Sequence, residues 1–308
     1  MNPCQSGWIR ELQTDPQPDE TTERVPAIVT IHHLNCGTLR PWIPRGTESI
    51  LYCLLVETND GLLLVDTGFG VGDYLRPTWF IWIFTRLLGM PRRVEETAVR
   101  QVKDLGFDRK AVRHIVLTHL HCDHTGGLPD FPDAQVHVSA EAFETAMDPK
   151  GVFRRVYEPA HWRHRPNWRL HDRDATLDWF GFDSVRIQEG LQPDVRLVPL
   201  PGHTRGHCGV AIQKEDGWLL HAGDATYPFY QTGEPQPPHR PLPAWVRRPP
   251  WWLERILIGD QTPRLRALLD EHGDAIRVIC SNDVVTCSQS QADLATFGSC
   301  LLGESMGQ

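Results

Sequence analysis

The sequence predicts a layered α/β protein with its functional residues at the ends of strands. Short apolar runs bounded by turn residues, such as residues 50–56 and 62–65, are typical of buried strands. The Asp60-Gly61 pair between these two runs predicts a hairpin. Residues 93–105 instead space their apolar side chains at the period of a helix. Strand-like apolar runs and helical spacing both occur along one chain, which favours sheets covered by helices.

The same patterns place the remaining elements. We expect further strands at residues 27–34, 115–117, 134–138, 195–200, 208–212, 218–220 and 276–280. Helical spacing predicts short helices at residues 141–147 and 264–269.

Composition limits the classes of function. The 308 residues are 40% hydrophobic, enough to bury a substantial core. The net charge of -8 does not favour a nucleic-acid partner. Eight scattered cysteines without a C-x-x-C pair suggest reduced thiols in the cytoplasm. Residues 1–26 carry acidic residues and prolines where a signal peptide would need an apolar segment, so we expect a cytoplasmic protein.

We expect one domain over residues 25–300, preceded by a flexible arm at residues 1–24 and followed by a tail at residues 301–308. Two stretches within that domain have no clear period. Residues 151–175 are basic and aromatic, and residues 228–250 are rich in proline. We interpret both as insertions, and we expect the histidines of the first to lie at the surface.

The most informative stretch is residues 118–127. Four potential metal ligands lie within six residues of it: His119, His121, Asp123 and His124. On an extended chain the first two histidines share a face, whereas on a helix they would lie roughly 200° apart. The Gly126-Gly127 pair allows a sharp turn behind them. Imidazoles with a carboxylate suit zinc better than calcium or magnesium, and the alternative is a solvated His-rich loop.

Other predicted strands also end in polar residues. They are Asp66, His203, Asp224 and Asn282. Because strand ends cluster along one edge of a layered α/β structure, these groups can meet although they are far apart in the sequence.

Four motifs in this order resemble the metallo-β-lactamase fold hydrolases. They are the H-x-H-x-D-H run, the L-L-L-V-D-T-G hairpin end, the P-G-H-T-x-G-H turn and the A-G-D strand end. The match covers roughly residues 27–285. The resemblance implies a four-layer αββα sandwich of α/β (α+β) class, with Trp- and Pro-rich insertions and a dinuclear metal site between the sheet edges.

Metal ligands follow from the resemblance by matching position. The implied ligands are His119, His121 and His203 for the first metal, Asp123 and His124 for the second, and Asp224 bridging both. Asp66 would accept a hydrogen bond from a ligand imidazole and orient it. His207, in the same turn motif as His203, is expected to be structural or at the surface rather than a ligand.

The chain departs from the family pattern at Asn282. Many members place a histidine at this strand end, where it completes the second metal site. An amide oxygen is a weaker ligand for zinc than an imidazole. We therefore expect one or two zinc ions with the second site weakened, with iron or manganese as alternatives.

The resemblance further implies a metal-dependent hydrolase in which the metal lowers the pKa of water to about 7. Asp123 would orient the nucleophile and shuttle its proton. Tyr227, three residues after Asp224, resembles the pattern of the acyl-homoserine lactonase branch, where a tyrosine hydroxyl assists the substrate carbonyl; a packed aromatic is the alternative. We predict a lactone substrate and a role in quorum quenching. The alternatives are a thioester hydrolase of glyoxalase II type, a mononuclear iron persulfide dioxygenase, a β-lactamase and a non-enzymatic binding protein.

An aromatic stretch at residues 74–90 stands apart from these motifs. It includes Trp79, Phe80 and Trp82 between Arg76 and Arg86, and it is shorter than the about 20 apolar residues that span a bilayer. It predicts a segment packed on the core, a lid in which these aromatic residues line an apolar substrate pocket, a homodimer contact or a membrane-surface anchor. The expected partner is a small-molecule substrate.

Overall fold

Twelve strands in two sheets of six make up the centre of the computed structural model, which describes residues 29–40, 48–150, 152–172, 176–225 and 261–283. The first sheet contains β1 Ile31–Leu39, β2 Ser49–Thr58, β3 Gly61–Val65, β4 Val112–Val116, β5 Gln135–Ser139 and β6 Asn167–His171. Their spatial order is the chain order. The first three strands are antiparallel, and β3 to β6 are parallel.

The second sheet contains β7 Leu177–Trp179, β8 Phe182–Arg186, β9 Val195–Pro199, β10 Cys208–Lys214, β11 Gly217–His221 and β12 Ile276–Ile279. Its spatial order is also the chain order, from β7 at one edge to β12 at the other. Neighbouring strands are antiparallel, except that β12 pairs with β11 in parallel. As a result, the C-terminal ends of β9, β11 and β12 all lie on the same side of the sheet.

The described helices are short. They are α1 Val71–Leu75, α2 Trp79–Leu87, α3 Ala98–Asp104, α4 Cys122–Thr125, α5 Ala140–Met147 and α6 Thr262–His272. The 3-10 helices are Val94–Glu96, Arg109–Ala111, Leu128–Asp130, Val152–Val156 and Pro159–Trp162. None of the helices in the described ranges is long and apolar enough to cross a membrane.

Three hydrophobic clusters separate four layers. Alternation along β2 places Leu54 in the cluster between the two sheets and Leu55 in the cluster beneath α2, α3 and α5. On the far side, Leu265 and Leu268 of α6 pack with Leu220 of the second sheet. The predicted αββα order is therefore confirmed.

Two expectations about residues 151–175 need correction. Residues 151–175 are not simply irregular, because β6 extends the first sheet and two 3-10 helices precede it. As an edge strand with few buried side chains, β6 lacks the apolar alternation that would predict a strand. The expected surface position is wrong for His161, which is 3% exposed and hydrogen-bonded through its two ring nitrogens to Asp73 and Thr125.

The first strand also differs from its prediction, since β1 ends at Leu39 rather than at residue 34. A register shift between Asn35 and Thr38 interrupts its pairing with β2, which is why the sequence pattern breaks there. The expected arm at residues 1–24, the insertion at residues 228–250 and the tail at residues 301–308 lie outside the described residues.

The inter-sheet core gives a direct stability test. Leu54→Ala should lower the free energy of unfolding by about 2–5 kcal/mol, because Leu54 is fully buried between the sheets. The measurement is equilibrium unfolding in urea. Leu177→Ala is the matched control: Leu177 is 40% exposed on β7, so its change should stay within about 0.5 kcal/mol. Equal losses in both variants would contradict the assigned layers.

Candidate metal centre

The His-rich stretch, residues 118–127, follows β4 and includes α4, and it lies where β3 and β4 end. His119 and His121 lie in the irregular segment that follows β4, with ring centroids 4.5 Å apart. His121 keeps extended backbone angles and is the N-terminal cap of α4. This four-residue helix then turns the chain so that Asp123 and His124 reach the same region.

The glycines behind the stretch are needed for close packing rather than for unusual backbone angles. Gly126 has ordinary right-handed helical angles. A Cβ on Gly127 would lie 2.8 Å from the Cβ of Thr67, and one on Gly70 would lie 2.1 Å from the carbonyl oxygen of Gly126. The loop after β3 therefore lies directly against the loop after α4.

Side chains that follow three strands, β4, β9 and β11, converge here. The ligand atoms of each of two groups lie within 4.8 Å of one another: His119, His121 and His203 in one, and His119, His124 and Asp224 in the other. The structure thus brings together the side chains of all six implied ligands, because Asp123 Oδ2 lies 4.0 Å from His124 Nε2. Asp224 belongs to the second group but also reaches the first. One of its carboxylate oxygens lies 3.6 Å from His124 Nε2, and the other lies 3.5 Å from His203 Nε2.

Unpaired buried atoms show that this cluster fits a metal ion. His119 Nε2, His124 Nε2 and Asp224 Oδ1 are buried without a hydrogen-bond partner in the described part of the chain. A buried polar atom without a partner costs about 1–3 kcal/mol. Imidazole nitrogens and carboxylate oxygens in this combination are the ligands of zinc and similar divalent metals. The donor set and its unsatisfied atoms therefore suit a divalent cation.

Asp66 orients two of the imidazoles. Its buried carboxylate accepts hydrogen bonds from Thr118 N at 2.9 Å, from Thr118 Oγ1 at 2.8 Å and from His124 Nδ1 at 2.8 Å. Because the Thr118 hydroxyl donates to Asp66, its oxygen is left to accept from His119 Nδ1 at 3.0 Å. Both imidazoles consequently turn Nε2 towards the cluster. The sequence pattern did not identify Thr118 as part of this arrangement.

Two further buried histidines hold the loop that carries Asp224. His207 Nδ1 lies 3.1 Å from the carbonyl oxygen of Leu200, and His207 Nε2 accepts from the backbone N–H of Asp224 at 3.1 Å. His221 Nε2 bonds the carbonyl oxygen of Tyr52 at 2.8 Å, so that its other nitrogen faces Gly223 N. His207 thus has structural contacts, although it lies in the interior and not at the surface.

Burial and neighbouring charges set the protonation of the cluster. Burial, reinforced by adjacent imidazoles, lowers the pKa of His119 and of His121 well below the usual value, which favours the neutral, metal-binding form. Burial also acts to lower the pKa of His124, but the carboxylates of Asp66, Asp224 and Asp123 outweigh it and raise that pKa. Burial raises the pKa of Asp123.

Asn282 follows β12 and already has a hydrogen-bond partner. Its amide oxygen accepts from Ser49 Oγ at 2.6 Å, and Ser49 is the first residue of β2. Tyr227, the other residue singled out after Asp224, lies outside the described residues. A different tyrosine, Tyr157, packs against His121 with ring centroids 5.1 Å apart, and no motif in the sequence pointed to it.

Comparisons with known proteins agree with this architecture. A sequence model of the metallo-β-lactamase superfamily matches residues 46–250. A probable metallo-hydrolase of Mycobacterium tuberculosis is 39% identical over 258 residues, covering 83% of this chain and 80% of that protein. The N-acyl homoserine lactonase AiiA of Bacillus thuringiensis subsp. kurstaki is 26% identical over 179 residues, covering 58% of this chain and 64% of the lactonase.

Solved structures show the same fold. A crystal structure of a B. thuringiensis AiiA mutant with N-decanoyl-L-homoserine at its active site superimposes with a TM-score of 0.59 at 20% identity. That alignment covers 85% of this chain and 96% of the other. Family match, relatives and fold agree, and the chain therefore belongs to the metallo-β-lactamase superfamily as a metallo-hydrolase.

Proposed function

We propose that this metallo-hydrolase is a zinc-dependent lactonase that opens N-acyl homoserine lactones or similar cyclic esters. The observation that carries the proposal is the convergence of six potential ligands, three of which have a buried atom without a hydrogen-bond partner among the described residues. Sequence similarity to N-acyl homoserine lactonases supports the substrate class.

The ligand roles are proposed from the same convergence. His119, His121 and His203 would hold one metal, His124 and Asp123 would hold a second, and Asp224 would lie between them. When bound, a divalent metal supplies Lewis acidity, which polarises an ester carbonyl and lowers the pKa of water.

We propose that Asp123 moves protons at this centre. Its side chain is 19% exposed, whereas that of Asp224 is 9% exposed, so Asp123 is the carboxylate nearer to solvent. We assign it the tasks of orienting the attacking water and carrying its proton to the leaving oxygen. Tyr227 is proposed, on its motif position alone, to donate to the substrate carbonyl.

The segment before β6 joins the centre to the aromatic helix α2. Tyr157 lies against His121, and the guanidinium of neighbouring Arg155 lies 5.0 Å from the ring centroid of Trp79. Phe80 points to the core and stacks on Phe84 at 5.6 Å. If Trp79, Phe80 and Trp82 contribute to substrate binding, an acyl chain would meet the two exposed tryptophans rather than Phe80.

A second candidate rests on Asn282. Because residue 282 carries an amide instead of an imidazole, the chain offers one strong ligand fewer than the family pattern for the second metal. A mononuclear centre favours the persulfide dioxygenase alternative, with iron in place of zinc. The thioester hydrolase reading, the cytoplasmic location and the homodimer stay predictions.

The first test concerns Asp66. Asp66→Asn should weaken metal affinity by about 10–100-fold, because His124 loses the carboxylate that orients it. Competition with a chromophoric chelator measures this. Asp60→Asn is the matched control, since Asp60 lies 3.1 Å from a histidine outside the centre, His114. Equal metal affinities in the two variants would contradict the role of Asp66.

The second test concerns the number of metals. Asn282→His should raise the bound metal per chain, because an imidazole replaces an amide that is a weak ligand for zinc. Metal content is measured by mass spectrometry after dialysis against zinc. Ser49→Ala removes the hydrogen bond to Asn282 without adding a ligand and should leave the metal content unchanged. If Asn282→His also leaves it unchanged, Asn282 does not limit the second site.

The third test concerns the substrate. In a panel of lactones, thioesters, β-lactams and phosphoesters, the zinc-loaded enzyme should hydrolyse lactones fastest and lose this activity on chelation. Lactones with long acyl chains should be preferred over short ones, and Trp82→Ala should reduce that preference more than Leu177→Ala. Faster hydrolysis of thioesters than of lactones would contradict the lactonase proposal. Equal turnover of lactones with long and short acyl chains would show that Trp79, Phe80 and Trp82 do not bind the acyl chain.

A further inference from the structure

The outer face of α2 exposes an unusual concentration of large apolar side chains. Four of the nine exposed large hydrophobic residues in the described ranges belong to this helix. They are Trp79, Trp82, Ile83 and Leu87, between 39% and 69% exposed. We call these four residues the aromatic face. Concentrated exposed apolar surface of this kind marks a binding surface.

The aromatic face is held outward by the packing of the same helix. Ile81 and Thr85 are fully buried, and Phe80 and Phe84 pack against the core. The N-terminal cap, Thr78, accepts from Ile81 N and donates to Glu158 Oε2 at 2.7 Å. A rotation that buried the exposed side chains would therefore expose the buried ones and break the cap.

Two arginines lie against the aromatic face. Residues 74–94 contain four arginines in all, of which Arg93 pairs with Glu96 at 3.5 Å, and the acidic residues that flank the stretch are Asp73, which is buried, and Glu95 and Glu96. The guanidinium of Arg86 lies 5.3 Å from the ring centroid of Trp82, and that of Arg155 lies 5.0 Å from that of Trp79. Both tryptophans of the aromatic face thus have a guanidinium cation beside the indole ring.

We propose that the aromatic face docks the protein onto an anionic lipid surface. Exposed Trp, Leu and Ile with arginines around them match the acyl boundary and the charged headgroups of such a surface. A second copy fits less well, because symmetric pairing of one patch would bring the arginines of both copies into one interface. Nucleic acid would leave the apolar side chains unmatched.

Docking in this position would set the metal centre beside the lipid surface. Arg155 touches the aromatic face, and Tyr157, two residues further on, packs on His121. An amphiphilic substrate dissolved in the lipid would then be presented close to the centre. The docking itself does not depend on the identity of the substrate.

The experiment is flotation of the zinc-loaded protein with vesicles of phosphatidylcholine alone or mixed with phosphatidylglycerol. We expect binding to the anionic vesicles, weakened by added salt, and at least about tenfold less binding to the neutral ones. Ile83→Ser with Leu87→Ser should lower binding to anionic vesicles, and Arg76→Glu with Arg86→Glu should remove the preference for them. Neither double variant changes a proposed catalytic residue, and flotation measures vesicle binding alone. The result therefore stands whether or not the protein hydrolyses lactones.

Matched controls come from the second sheet. Leu177→Ser replaces another exposed leucine, and Arg277→Glu reverses an exposed charge on β12; both should bind like the parent. Thermal unfolding of each variant confirms that it remains folded. Absence of binding to anionic vesicles, or binding that the aromatic-face variants do not change, would overturn the proposal. A dimer in light scattering that only those variants dissociate, without vesicle binding, would assign the face to a second copy.

Discussion

The centre depends first on the buried carboxylate of Asp66. Burying a carboxylate is costly unless hydrogen bonds replace its hydration. Here three donors replace it, two from Thr118 and one from His124. The same bonds connect the end of β3 to the segment after β4, so the group that stabilises the fold at this edge also aims the imidazoles. Asp66 has a φ of 55°, and the loop after it must turn sharply to make these contacts.

Close contact between two loops maintains that arrangement. The backbone N–H and the hydroxyl of Thr67 both donate to the carbonyl oxygen of His124, at 3.0 and 2.8 Å. The missing side chains of Gly70 and Gly127 allow this approach, since a Cβ on either would collide with the opposite loop. Thus the first hairpin, through the loop at its end, fixes the position of a histidine that follows it by nearly sixty residues.

Sequence patterns predicted what depends on local periodicity. The hairpin at residues 50–65 and the strands that end before His203 and Asp224 were predicted because strands buried on both faces leave continuous apolar runs in the sequence. The αββα layers were predicted from the resemblance to the family. The contacts of Thr118 and His161 have no such signal. His161 bonds Asp73 across 88 residues, and only the folded chain brings the two together. β6 was missed because an edge strand with few buried side chains has no apolar period.

The hydrogen bonds of His161 bear on the order of events in which the centre forms. A helix of four residues has no stability of its own, because nucleating a helix is unfavourable. α4 is instead held by tertiary contacts, among them the bond between His161 and Thr125 in the helix. Part of the conformational entropy of Asp123 and His124 is therefore lost when the chain folds, through contacts that involve no ion. A zinc finger differs, because its chain becomes ordered only around its ion.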